Sequence, residues 1–154
     1  MHAAIAGMTR VFLVLSVLVA AEAHAQAPPT SRKAIWPETF PKSGLPYSPG
    51  ILVGNTLYIS GQLGRDPATA QLVPGGIDAQ TKQAMANARK VLLAAGMDFT
   101  HVVSVNVFLS DFKDFGAFNE VYKGFFPLDP PTRATVQGVL NLGAKVEIQM
   151  VAVK

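Results

Sequence analysis

Two charged residues near the C-terminus, Arg133 and Glu147, are the strongest candidates for chemistry. Arg133 follows a double proline in the segment Asp-Pro-Pro-Thr-Arg-Ala-Thr-Val-Gln, residues 129 to 137, and its flanking residues offer no obvious ion-pair partner. Burying a guanidinium without an anion is costly. Its planar set of donors matches a carboxylate in bidentate fashion. Arg133 is therefore a candidate carboxylate-binding residue, and the alternative is a solvated arginine at the end of a strand.

Glu147 lies in the apolar segment Val146 to Val153. Glutamate is rarely buried unless it is paired or functional. A desolvated carboxyl group can act as a general acid or base near neutral pH. The alternative is a solvated carboxylate on an edge strand. Arg133 and Glu147 are predicted to lie on consecutive strands of one hairpin, from which both could reach a common cleft.

Four further residues are weaker candidates. Tyr47 lies in a loop stiffened by two prolines, where its ring either lines a pocket or packs in the core. Ser60 and Gly61 end a predicted strand at a glycine, where a backbone N–H can approach a ligand closely. Asn119 either bonds a ligand or caps local backbone. The sequence contains neither a glycine-rich phosphate loop nor a G-x-S-x-G motif, so nothing indicates a nucleotide cofactor.

Composition excludes several other classes of site. The chain has 154 residues, a formal net charge of +3 and no cysteine. The small positive charge is not concentrated in a run of lysine and arginine residues, which argues against nucleic-acid binding. The lack of cysteine excludes thiol catalysis and thiolate metal sites. His101, predicted to be a surface residue, is the only histidine after residue 25, which excludes a multi-histidine metal site within one chain.

Residues 1 to 25 have the pattern of a secretory signal peptide. Arg10 precedes the apolar segment Val11 to Ala21, and Ala23-His24-Ala25 forms a small-residue cleavage site. The apolar segment is shorter than the roughly 20 residues of a membrane span. We therefore expect cleavage after Ala25 and a soluble mature protein, periplasmic or secreted, without stable membrane association. An uncleaved anchor is the alternative.

The elements that position the candidate residues follow from the apolar periodicity. Residues 26 to 43 are rich in proline and predict an extended N-terminal arm, followed by one domain over residues 44 to 154. Segments 51–53 and 56–60, joined by Gly54-Asn55, predict a β-hairpin. Asp78 is a plausible N-cap for a helix that runs to about Ala95 and stops at Gly96.

The second half of the domain predicts three strands and one helix. Residues 102 to 110 alternate, which predicts a strand with Val103, Val105, Val107 and Leu109 on one apolar face. Asp114 is predicted to cap a helix over residues 115 to 126, with its inner stripe at Phe118, Tyr122 and Phe125. The last two predicted strands cover residues 135–140 and 146–153.

The predicted order β-β-α-β-α-β-β indicates an α+β fold, a single mixed sheet with both helices on one face. Threonine, valine, isoleucine and methionine side chains alternate toward the other face with few charges. A partner subunit is a natural cover for such a face. We therefore expect a homo-oligomer.

Several stretches of the chain resemble the reactive-intermediate deaminase family, known as RidA or YjgF-type. The resemblance runs in order and at consistent spacing from about Gly44 to Val153. The matching stretches are Leu45–Ser48, Val53–Gln62, Asp78–Thr81, Val107–Asp111, Phe118–Tyr122, Pro131–Val136 and Val146–Ile148.

The resemblance implies a homotrimer of chorismate-mutase-like protomers with ligand clefts between adjacent subunits. Members hydrolyse enamines and imines, such as 2-imino acids and 2-aminoacrylate, to 2-oxo acids and ammonia without a cofactor or metal. The implied roles are carboxylate binding for Arg133, water positioning for Glu147, and ligand contact for Tyr47, Ser60, Gly61, Asn119 and Thr135.

Three features depart from the family's usual pattern. Gln149 stands where many members have a second glutamate, and Pro49 stands where glutamine is usual. The signal peptide is unusual because most relatives are cytosolic. A non-catalytic module that binds small carboxylates is therefore an alternative, and a ribonuclease or chaperone-like member is a weaker one.

Overall fold

The computed structural model describes residues 31–41, 44 and 46–154. The predicted signal peptide, residues 1 to 25, lies outside the described residues. Within the described ranges, no helix is long and apolar enough to cross a membrane.

One six-stranded sheet forms the centre of the fold, with the strand order β1-β2-β3-β6-β4-β5. Neighbouring strands are antiparallel except β4 and β5, which are parallel. The strands are β1 (Arg32–Ile35), β2 (Gly50–Val53), β3 (Thr56–Leu63), β4 (Val102–Leu109), β5 (Thr132–Gln137) and β6 (Val146–Val153).

Two helices cover one face of this sheet. They are α1 (Gly76–Ala94) and α2 (Phe115–Tyr122), and a 3-10 turn, Lys123–Phe125, follows α2. The buried side chains of α1, among them Met85, Val91 and Leu92, join those of the central strands in one core. The predicted α+β class, with a single mixed sheet and both helices on one face, is confirmed.

The predicted hairpin is present as β2 and β3. Val53 pairs with Thr56, so the turn contains only Gly54 and Asn55. Gly54 has a φ of 58°, in the left-handed region that glycine adopts without steric cost. The two-residue turn fixes the register that carries β3 toward Ser60 and Gly61.

The N-terminal arm departs from the prediction because it contains a strand. Residues 32 to 35 form β1, which pairs antiparallel with β2 from Arg32↔Val53 to Ile35↔Gly50. The observed order is therefore β-β-β-α-β-α-β-β. Four residues with a single buried side chain, Ile35, show too little alternation for the sequence to indicate an edge strand.

The ends of the helices and one face of β4 also differ from the predictions. The N-cap of α1 is Gly75, and Asp78 lies in the first turn, where its charge favours the helix dipole. The second helix ends at Tyr122. After the tighter turn that follows it, Phe126 is buried, and the predicted Phe125 is partly buried against the core. A register shift between Val102 and Ser104 leaves Val103 exposed, against the predicted apolar face.

The predicted pairing of the last two strands is wrong. Strand β6 lies between β3 and β4, whereas β5 begins at Thr132 and forms the edge of the sheet. The side chains of β6 that face the helices are all apolar and buried, from Val146 to Ala152. Strand β5 instead carries a charged residue, Arg133, on its helix-facing side. Burial therefore favours β6 at the centre and β5 at the edge.

Candidate functional site

A bulge in β3 forms one wall of a cleft on the open face of the sheet. The register between β3 and β6 shifts between Ile59 and Gln62, which places Ser60 and Gly61 at the irregularity. Such bulges redirect side chains and are common beside active sites. A Cβ atom on Gly61 would overlap a carboxylate oxygen of Glu147 and lie 2.7 Å from its Cδ. Glycine at position 61 thus allows the Glu147 carboxylate to lie directly on the backbone.

The loop that carries Tyr47 is tied to the same bulge. The Ser60 hydroxyl donates to the carbonyl of Ser48 at 2.7 Å. The Ser60 backbone N–H donates to the carbonyl of Pro49 at 3.0 Å. Tyr47, Ser60, Gly61 and Glu147 all line one cleft of about 520 Å³. Because the Ser60 hydroxyl hydrogen is used within the protein, its oxygen is left in the cleft as an acceptor only.

Two buried amides, which the sequence analysis did not single out, stiffen the cleft from below. Gln62 donates through Nε2 to the carbonyl of Ser60 at 2.8 Å, across the bulge. Asn87 on α1 donates through Nδ2 to the carbonyls of Leu63 at 3.1 Å and Arg65 at 2.8 Å. The only sequence signal for them was a polar residue at a position where the periodicity predicts burial.

Arg133 lies on the opposite face of the sheet, over an aromatic surface of α2. It pairs with Val105, whose side chain is buried among the core residues on the helix side. Its Cζ lies 4.8 Å from the ring centroid of Tyr122, 5.4 Å from that of Phe118 and 5.8 Å from that of Phe115. Aromatic faces attract a guanidinium without neutralising it. Within the described part of the chain, Arg133 has no acidic ion-pair partner.

Unpartnered polar groups surround Arg133. The hydroxyls of Tyr122 and Thr135 are buried without a hydrogen-bond partner among the described residues. Thr135 follows Arg133 by two positions on β5 and therefore shares its face. Asn119 lies one turn after Phe115 on α2, on the helix stripe that carries the rings. Burial raises the pKa of Tyr122 to about 12, although the charge of Arg133 partly opposes the shift.

The predicted site residues thus form two groups, and one chain does not bring Arg133 and Glu147 together. The neighbours of Glu147 in β6, Val146 and Ile148, are buried on the helix side, so Glu147 points to the open face. Tyr47, Ser60 and Gly61 accompany Glu147 in the cleft. Arg133, Thr135 and Asn119 form a second group on the helix side, at the edge strand.

Three other residues from the sequence analysis have defined places. Pro49 lines the cleft beside Tyr47. Gln149 is exposed on the face of Glu147, where its Oε1 accepts a hydrogen bond from Asn106 Nδ2 at 3.3 Å. His101 pairs with Asp98 in a 3-10 turn before β4 and does not line the cleft.

A family model and a named relative both match most of the chain. The family model described as Endoribonuclease L-PSP matches residues 38–154. A Capra hircus protein named 2-iminobutanoate/2-iminopropanoate deaminase is 52% identical over 110 residues, which are 71% of this chain and 80% of that protein.

Solved structures show the same fold. The crystal structure of RidA from an Antarctic Psychrobacter has a TM-score of 0.75 at 39% identity, covering 79% of this chain and 99% of that one. The crystal structure of E. coli TdcF with bound serine has a TM-score of 0.74 at 32% identity, covering 79% of this chain and 98% of that one.

The burial of Tyr122 predicts a specific titration. One phenol should ionise near pH 12, seen as phenolate absorbance, and Tyr122→Phe should remove that step. Because the pKa of Tyr122 in the folded state lies above the ordinary tyrosine pKa of 10.0, its neutral hydroxyl contributes its full stabilisation below about pH 10. That contribution is lost as the pH rises through about 12. An unchanged titration in Tyr122→Phe would contradict the assignment.

Proposed function

The chain belongs to the RidA (YjgF-type) family, and we propose that it hydrolyses 2-imino acids and their enamine tautomers to 2-oxo acids and ammonia. The Capra hircus relative is named for this activity on 2-iminobutanoate and 2-iminopropanoate. The observation that carries the proposal is the Glu147 carboxylate, held on Gly61 in an open cleft. No described residue donates a hydrogen bond to it, so its oxygens are available to a water molecule.

The substrate carboxylate requires a cation, and Arg133 is suited to that role. The guanidinium already lies on three rings, and no described acid competes for it. A substrate carboxylate would supply the missing anion through bidentate hydrogen bonds. The hydroxyl of Thr135 and the amide of Asn119 lie on the same side and can add further contacts.

The reaction needs one water and proton transfers. In the proposed mechanism, Glu147 accepts a proton from water while the water oxygen adds to C2 of the imine, and the imine nitrogen takes a proton. In the resulting tetrahedral carbinolamine, Glu147 returns its proton to the nitrogen and ammonia leaves. The C2 hydroxyl releases its proton to solvent as the carbonyl forms, which replaces the solvent proton that the imine nitrogen took in the first step. An enamine first tautomerises to the imine by protonation at C3. Positioning is the main requirement, because imines also hydrolyse unaided.

Since the two groups lie on opposite faces of one sheet, we propose that each active site combines two subunits. Strand β5 is an open edge that carries Arg133. The open face beyond it presents large apolar side chains, among them Tyr58 at 52% and Val136 at 48% exposure. Covering this face with another copy buries that surface and brings Arg133 of the partner subunit to the Glu147 cleft. The family resemblance supports a ring of three.

We also propose that the protein acts after export, on the strength of the signal-peptide pattern in residues 1 to 25. Its substrates would then be imines outside the cytosol. The intact mass of the protein from a secreting host tests this, with a mature chain that begins at Gln26 as the expected result. A full-length cytosolic product would contradict it.

Arg133→Lys tests the proposed carboxylate contact, because lysine retains the charge and loses the bidentate geometry. An amino-acid oxidase generates the imine, and semicarbazide captures the imine that has not been hydrolysed. We expect kcat/KM to fall by roughly 100-fold, within the range for truncating a charge-paired contact. Arg89→Lys, at an exposed site on α1, is the matched control.

The same assay separates the alternatives. If the native oligomer does not accelerate imine decay, the hydrolase proposal fails. If 2-oxo acids nevertheless raise its melting temperature, and Arg133→Ala abolishes that shift, the protein is a binding module for small carboxylates.

A mixed oligomer tests whether each site is shared. Arg133→Ala and Glu147→Gln subunits are co-expressed with different tags and purified through both. If neighbouring subunits supply the two residues, each mixed trimer contains one intact site, so activity returns to about one third of wild type. Each variant alone should remain inactive. Mixed trimers without activity would show that both residues act from one subunit.

A further inference from the structure

Helix α1 carries a row of three amide side chains on the side that packs against the sheet. Gln80, Gln83 and Asn87 follow the three-and-four spacing that places residues on one side of a helix. Gln80 and Asn87 are only 7% and 5% exposed. Gln83 Nε2 donates to Asn87 Oδ1 at 2.9 Å, which orients the Asn87 amide. Buried amides destabilise a fold unless they are hydrogen-bonded, so their partners indicate what this amide row does.

One end of the amide row holds the end of β3. Asn87 Nδ2 donates to the carbonyls of Leu63 and Arg65, on either side of Gly64. Gly64 is buried, and a Cβ atom on it would lie 2.5 Å from the Cα atom of Gln80. The backbone of β3 therefore rests directly on the backbone of α1 at this point, and the two cannot shift independently.

The other end of the amide row holds the start of β6. Gln80 Oε1 accepts a hydrogen bond from the backbone N–H of Lys145 at 2.8 Å. The carbonyl of Lys145 accepts from the backbone N–H of Ser110 at 3.1 Å. Its Nζ lies 3.4 Å from a carboxylate oxygen of Asp114. Both backbone groups of Lys145 are thus engaged, and its charge is directed to Asp114, two positions before Glu147.

The two strand ends meet at Glu147, which pairs with Leu63 across the ladder between β3 and β6. The ladder is irregular between Ile59 and Gln62, so the pairing beyond the bulge depends on contacts outside the ladder. We infer that the amide row is a positioning device, which holds both strand ends so that the Glu147 carboxylate stays on the backbone of Gly61. This inference rests on the proposed function, and it assigns a role to residues that act through Glu147.

Two substitutions of Gln80 test the contact with Lys145. Gln80→Met keeps the length of the side chain and loses the acceptor oxygen, whereas Gln80→Glu retains an acceptor. We expect kcat for imine hydrolysis by the native oligomer to fall about tenfold in Gln80→Met, since a displacement of 1 Å can cost about 100-fold. Arg133 of the partner subunit binds the substrate carboxylate in the proposed site, so KM should stay nearly unchanged. Gln80→Glu should retain most of kcat.

Val91→Ala is the matched control for lost stability. Val91 is fully buried on the same helix and packs against Gly50 of β2, away from both strand ends. Its loss should lower the melting temperature and leave kcat unchanged. Gln83→Met, at a half-buried position, should lower kcat less than Gln80→Met does, and it serves if Gln80→Met does not assemble. An unchanged kcat in the glutamine-to-methionine variants, or an equal loss in Gln80→Glu or Val91→Ala, would overturn the inference.

Nitrogen-15 NMR gives a second test that does not depend on turnover. In Gln80→Met the amide proton of Lys145 should exchange faster, and the amide resonance of Gly61 should shift because the neighbouring carboxylate has moved. Gln80→Glu should restore both. A Gly61 resonance that does not respond to Gln80→Met would overturn the positioning role. If no imine is hydrolysed but the Gly61 resonance responds as expected, the proposed reaction fails and the positioning role stands.

Discussion

The contact between the Glu147 carboxylate and the backbone of Gly61 constrains the whole cleft. It requires β6 to lie beside β3, because only that pairing places the two residues together. It also requires the bulge at Ser60 and Gly61, and a glycine at its second position. Ser60, at the same bulge, holds the Tyr47 loop through its hydroxyl and its backbone N–H. The carboxylate and the tyrosine loop are therefore both fixed by contacts with the two residues of this bulge.

Arg133 is held in a different way, since no acidic side chain among the described residues forms an ion pair with it. Its three aromatic neighbours hold the guanidinium in place and leave its hydrogen-bonding edge free for an anion. An acidic partner in the same chain would compete with a substrate carboxylate. The Tyr122 hydroxyl is neutral at physiological pH, as any phenol with an ordinary pKa would be, and burial raises its pKa further, to about 12. The surface under Arg133 therefore contributes no negative charge.

The sequence predicted most of the helices and strands correctly, but it did not predict the order of the last strands in the sheet. The two-residue turn at Gly54-Asn55 and the apolar face of α1 follow from local chemistry, and both are present. The position of β6 does not follow from local chemistry. A strand's neighbours depend on which candidate buries most apolar surface between two others, a comparison over the whole sheet. Without that position, Arg133 and Glu147 looked like neighbours on a hairpin.

The site residues were identified mainly through residue type and family resemblance. Gln62 and Asn87 were missed because a buried amide is recognisable only once the carbonyls it serves are in place.

Separation of the two charged residues also has a consequence for regulation. In the proposed ring, each subunit contributes its Glu147 carboxylate to one active site and its Arg133 guanidinium to another. An isolated subunit carries these two groups on opposite faces of its sheet. Neither group of residues alone can position both the substrate carboxylate and a water molecule. Activity would therefore depend on assembly, and the exposed apolar face that drives assembly would serve catalysis as well as stability. The free edge of β5, an aggregation risk in a monomer, would become the part of the fold that completes the neighbouring site.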